Sequence, residues 1–190
     1  SNIMEGSRND LNSQEIDAEQ GGNTQSIVDV NLILGNNNDN NSQKATAIQD
    51  DAANEISLAN EIFCNRNYWN NQTYWSKQED GTNVIEEVNK IDGNNNDGNR
   101  QDFDAHQNGV GNEIREVNFI EGDRNDENTQ KAWMEQEEEG HTIAKINQIF
   151  GNNNNWNVQD FDANQIGDAN QMLFINEISG NNNDDNSMNF

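Results

Sequence analysis

The sequence contains no proline. Proline cannot donate to a backbone ladder, so its absence suits a chain in which every N–H is needed. The one cysteine, Cys64, excludes an internal disulfide. Basic residues are scarce: 10 Lys and Arg stand against 35 Asp and Glu, a formal charge of −25. That balance disfavours nucleic acid and anionic membrane surfaces, which want cationic side chains. It favours cations, and assembly that depends on pH and salt. No apolar run is long enough to span a bilayer, so membrane insertion is not expected. No signal peptide is visible, which leaves a cytosolic chain or a mature secreted form. Only 31% of residues are hydrophobic and the mean hydropathy is −1.14. Those values alone would suggest disorder.

Repetition argues the other way. Gly93, Gly122, Gly151 and Gly180 stand 29 residues apart, and Gly35 precedes Gly93 by twice that step. The same step reaches Gly6 and, between Gly35 and Gly93, Cys64. A disordered tail has no need to keep residues in phase, whereas a fixed period of this size marks a solenoid, propeller or array. Counting from each landmark as position 1, residues 1–5 end an earlier copy. The copies are 6–34, 35–63, 64–92, 93–121, 122–150 and 151–179, with 180–190 a partial copy. The whole of 1–190 reads as one repeat domain. Cys64 reads as a drifted glycine rather than a reactive thiol.

Several columns hardly vary. Position 4 is Asn9, Asn38, Asn67, Asn96, Asn125, Asn154 and Asn183. Position 7 is asparagine throughout, from Asn12 to Asn186. Position 9 is Gln14, Gln43, Gln72, Gln101, Gln130 and Gln159, and position 15 is Gln20, Gln49, Gln78, Gln107, Gln136 and Gln165. Position 26 is Asn31, Asn60, Asn89, Asn118, Asn147 and Asn176. Position 28 is Ile33, Ile62, Ile91, Ile120, Ile149 and Ile178. The positions between them drift. Alternation of fixed and free positions means strands with one constrained face. Each repeat is therefore expected to hold two strands, near positions 7–15 and 20–28, with GNNNDxN turning the chain one way and the segment near position 17 turning it back. Position 25 is apolar on the wrong parity, which points to a bulge or corner near positions 23–24. Glu-rich pieces such as Trp133 to Glu139 suit a helix on propensity, but they keep the period and are read as strand.

An inward Gln or Asn looks wrong for a core, since an unpaired buried amide costs about 1–3 kcal/mol. A parallel in-register stack removes the difficulty. Each amide lies about 4.7–4.8 Å from its copy in the next rung, donating to one neighbour and accepting from the other. The expected fold is all-β: a β-solenoid of stacked two-strand rungs, 29 residues per rung, with in-register Asn/Gln and Ile ladders. Like charges stacked at rung spacing would oppose it. The free face scatters them: position 12 is Asp17, Thr46, Trp75, Asp104, Trp133 and Asp162.

Gln107-x-Gly109-x-x-Asn112-x-Ile114-x-x-x-Asn118 resembles the curlin repeat of curli fibre subunits, and Gln165, Gly167, Asn170, Met172 and Asn176 match it similarly. The likeness covers about half of each repeat. The period is longer than that family's, Asn stands where its closing Gln belongs, and Asp51, Asp80 and Glu138 replace the glycine at position 17. The chain thus resembles a divergent curlin-repeat extracellular amyloid subunit. The resemblance implies a strand–turn–strand solenoid, secretion across a bacterial outer membrane and polymerisation into biofilm fibres.

Chemistry is thinly supported. His106 falls on the free face and His141 in an Asn column, so neither is placed to meet a nucleophile or base, and no catalytic role is expected. The GNNND turns resemble calcium loops, but position 5 mixes Asp10, Asp39, Asp97, Asp126 and Asp184 with Tyr68 and Asn155. Calcium wants six to eight oxygens. Diffuse calcium on the acidic face fits better than defined sites, and no cofactor is expected. Trp69, Trp75, Trp133 and Trp156 read as outward aromatics, either sugar-stacking platforms or surfaces where filaments meet. Asn40 and Asn71 head glycosylation sequons. The expectation is a non-enzymatic, secreted, extracellular subunit that polymerises head to tail with copies of itself, with a nucleator subunit and divalent cations as further partners. The chain starts at position 25 and stops at position 11, so successive copies are expected to share a rung. The alternative is a monomeric calcium-binding solenoid module of a secreted adhesin. An ice-binding solenoid would need a threonine column, and none exists.

Overall fold

In the computed structural model, side chains of like position in the repeat stack above one another from one end of the chain to the other. The structure describes residues 1–22, 25–28, 30–50 and 54–190, the side chains at 25 and 58 excepted. Asp51, one of the residues replacing the position-17 glycine, lies outside that set.

Every strand pair is parallel and offset by one repeat. Gln101 lies beside Gln72 and Gln130, and Ile120 beside Ile91 and Ile149. No helix forms among the described residues. Two sheets run the length of the stack. The seven-stranded sheet is built from positions 8–16, in strands such as Arg100–Asn108 and Thr129–Glu137. The twelve-stranded sheet takes the other half of each rung, as in Glu113–Glu121 and Thr142–Phe150. Trp133 to Glu137 is strand, as the period required. The fold is the expected all-β solenoid.

Two features refine the two-strand rung. First, a short third strand forms inside the GNNND run, at Asn95–Asp97, Arg124–Asp126, Asn153–Asn155 and Asn182–Asp184. In the earlier rungs no break separates it: Asn2–Asp10, Asn31–Asp39 and Asn54–Tyr68 run straight through position 1. Second, the corner anticipated near positions 23–24 consists of left-handed residues at positions 24 and 26. Glu116 and Asn118 have φ of 54°, and Lys145 and Asn147 have 56° and 52°. They bracket position 25 and turn its side chain inward, which is why Val88, Val117 and Ile146 are buried on the wrong parity. Asparagine tolerates this conformation better than most residues.

The interior divides in two. Positions 11, 13, 22 and 25 form the larger apolar core, including Tyr74, Phe103, Ile114 and Val117. The position-28 isoleucines, Ile33 through Ile149, form a separate row that Met4 and Ile178 continue. The glutamines of position 9 and asparagines of position 26 stand between them.

Candidate functional site

The ladders are made of direct amide–amide hydrogen bonds. Asn60 Nδ2 donates to Asn89 Oδ1 at 3.0 Å, Asn89 to Asn118 at 3.0 Å, Asn118 to Asn147 at 2.9 Å and Asn147 to Asn176 at 2.9 Å. At position 4, Asn38 donates to Asn67, Asn67 to Asn96, Asn96 to Asn125 and Asn125 to Asn154, the last three at 2.8 Å. At position 15, Gln78 donates to Gln49, Gln107 to Gln78, Gln136 to Gln107 and Gln165 to Gln136, at 2.7–2.8 Å. Ile62, Ile91, Ile120 and Ile149 are completely buried in their own column, and Ile178 continues it at half-burial. All the ladder residues expected from the sequence are therefore stacked as expected.

Three arrangements were not read from the sequence. The first joins the sheets: each position-26 asparagine also donates across the interior to the backbone carbonyl at position 10, as Asn89 does to Asp102 O at 2.9 Å. In return Gln101 Nε2 donates to Asn89 O and to Phe119 O. The polar wall between the two cores is thus a cross-link between the sheets. Two invariant columns at a constant separation were the available signal.

The second is the sense of each ladder. In the inward ladders the asparagines of positions 4, 7 and 26 donate toward later rungs and the glutamines toward earlier ones, whereas the exposed asparagines of positions 2 and 3, such as Asn181 and Asn182, donate toward earlier ones. The two end faces therefore differ. At the N-terminal face Asn2, Asn9 and Asn12 donate inward and turn oxygens outward, while Gln20 Oε1 accepts from Gln49 and its nitrogen faces out. At the other end Asn183 and Asn186 accept from Asn154 and Asn157, leading with nitrogen. Gln165 directs its nitrogen to Gln136 and leads with oxygen.

Comparison with family models, curated proteins and solved structures returns no match.

The third arrangement is the buried ends of columns. Met188 occupies position 9 of the last partial rung, and Gln159 Oε1 is buried without a partner. His141, in the position-20 column, is wholly buried. Its ring Nε2 lies 2.9 Å from Glu137 O, and Nδ1 has no partner.

Charge is spread along the rungs. Lys44–Glu15 and Lys145–Glu116 pair between neighbouring copies at 2.6 and 2.5 Å; such exposed pairs contribute little individually. His106 sits 3.2 Å from Glu135 on the outward face. Lys90 Nζ lies between the rings of Phe63 and Phe119, 5.4 and 5.8 Å from their centroids. In the position-5 column burial pushes Asp39 and Asp97 above the usual carboxylate range. Asp10 adds to the effect on Asp39, and Glu127 and Asp126 to that on Asp97. Among the described residues no group of three or more His, Cys, Asp or Glu could hold a metal ion. Cys64 is buried, its Sγ 3.1 Å from Arg66 O, and burial pushes its thiol up.

Proposed function

We propose that the protein is a non-enzymatic structural subunit that stacks head to tail into an extracellular, curli-like fibre of the biofilm-matrix kind. The observation carrying this reading is the opposed sense of the Asn and Gln ladders. Each rung offers the next the same complement of donors and acceptors, and nothing in that chemistry requires the next rung to belong to the same chain. Outward Asn nitrogens at one end meet outward Asn oxygens at the other, and the position-15 glutamines match in reverse. Head-to-head contact would set oxygen against oxygen. The curlin-like motif points the same way. Negative-stain microscopy of the purified protein at neutral pH tests this. Unbranched filaments are expected, with an axial repeat of about 4.7–4.8 Å by fibre diffraction. A single monomeric species by sedimentation at the highest attainable concentration would contradict it.

The second reading, a calcium-binding adhesin module, draws on Asp39 Oδ1, Asp126 Oδ1 and Asn155 Oδ1, which are buried without partners in the position-5 column. Calorimetry against calcium and chelator separates the two: stoichiometric tight sites favour the adhesin.

A further inference from the structure

The outward face of the seven-stranded sheet carries a feature that stacking does not use. Trp75 pairs in register with Asp104, and Asp104 with Trp133. The two indoles therefore stand on alternate rungs of one column, about 9.5 Å apart at the usual strand spacing. Between and beside them runs a groove of about 460 Å³, lined also by Asp102, Asp104, Lys131 and Asp162. Trp133 is 41% exposed. Asp102 Oδ2 accepts from Arg100 Nε at 2.6 Å, but its Oδ1 is buried with no partner. Burial also pushes the Asp104 carboxyl above its usual range. Two flat aromatic faces and several carboxylates, one with an oxygen short of a donor, thus share one groove.

We infer that this strip binds a neutral, extended glycan of the β-1,4-linked type. The C–H face of a pyranose stacks on an indole, and its equatorial hydroxyls radiate sideways as donors to carboxylates. In a β-1,4 chain, rings two units apart turn the same side outward, at a spacing close to two rungs. An α-1,4 chain coils and cannot lie along both indoles. Anionic ligands are disfavoured by Asp102, Asp104, Asp160 and Asp162 against the single Lys131 of the groove. Nucleic-acid bases would stack, but their phosphates meet the same acids. The same face of a second copy would bring carboxylate against carboxylate. The strip lies on a side of the solenoid, so it is open in a monomer and a fibre alike and does not depend on polymerisation.

Titration calorimetry with cellohexaose, with maltohexaose as the linkage control, tests this. Cellohexaose is expected to bind and maltohexaose not. Trp75→Ala and Trp133→Ala should each weaken binding by about tenfold or more, a loss of about 1.4 kcal/mol. Asp104→Ala should weaken it several-fold. Trp69→Ala and Trp156→Ala, which change corner residues of another column, should leave it unchanged. All four tryptophans point outward, and an unaltered β-sheet circular dichroism spectrum checks each fold. Absence of cellohexaose binding to the wild type, equal binding of maltohexaose, or indifference to both Trp75→Ala and Trp133→Ala would overturn the assignment.

Discussion

A single inward amide is stabilising here only because its copies are present above and below it. Gln107 donates to Gln78 and accepts from Gln136. Replacing it with alanine orphans a buried acceptor and a buried donor at once. Gln107→Ala should cost about 2–6 kcal/mol in chemical denaturation, since each of the two orphaned groups costs about 1–3 kcal/mol. Gln165→Ala, half-exposed and joined to one neighbour, should cost clearly less. Completing a column should do the opposite. Met188→Gln offers a donor to Gln159 Oε1 and should stabilise by about 0.5–1.5 kcal/mol, the net contribution of an ordinary hydrogen bond. The acidic columns add a pH dependence. Asp39, Asp97 and Asp104 have folded pKa values raised mainly by burial, so the folded state holds their protons more tightly. Their contribution to stability is complete below the ordinary aspartate value of about 3.9 and is lost as pH rises through the raised folded values. The urea midpoint should therefore rise when pH is lowered from neutrality toward about 4.5, and Asp97→Asn should raise it at pH 7 more than at pH 4.

At the scale of the strand and its corner, the landmark glycine is a matter of space. A Cβ on Gly122 would come 1.8 Å from Gly93 O, and on Gly151 2.0 Å from Gly122 O. At neither residue is a positive φ involved. Gly122→Ala should thus force the rungs apart and lower the melting temperature by several degrees or more, while Cys64→Gly should change it little. Position 1 of the Cys64 rung lies inside the continuous strand Asn54–Tyr68 and already carries a side chain, whereas at Gly122 the chain bends between two strands. Alternation of fixed and free columns made the main strands and their inward faces legible from sequence. The short strand Arg124–Asp126 was not, because asparagine-rich turn segments have low strand propensity and this one is paired by the register of the stack. Nor was the left-handed pair at positions 24 and 26. Asn118 looks like one more inward residue of an alternating strand, and its backbone conformation leaves no mark on the residue type beyond the asparagine itself.

At the scale of the whole molecule, the formal charge of −25 opposes the head-to-tail assembly proposed above. On that proposal, copies approaching end on would repel until the short-range amide and backbone bonds form. Filament growth followed by light scattering should therefore accelerate as ionic strength rises from about 0.01 to 0.15 M, because the screening length falls from about 30 to 8 Å. A rate indifferent to salt would place the barrier elsewhere. Periodicity set the number of rungs and their register. It carried no information on the sense of the amide ladders, which depends on how each side chain turns within its rung. The most direct test of the account is a through-hydrogen-bond NMR coupling experiment on side-chain-labelled glutamine. It should link Gln107 Nε2 to the side-chain carbonyl carbon of Gln78, and Gln136 Nε2 to that of Gln107. Side-chain amides that instead exchange freely with water and couple to no partner one repeat away would contradict it.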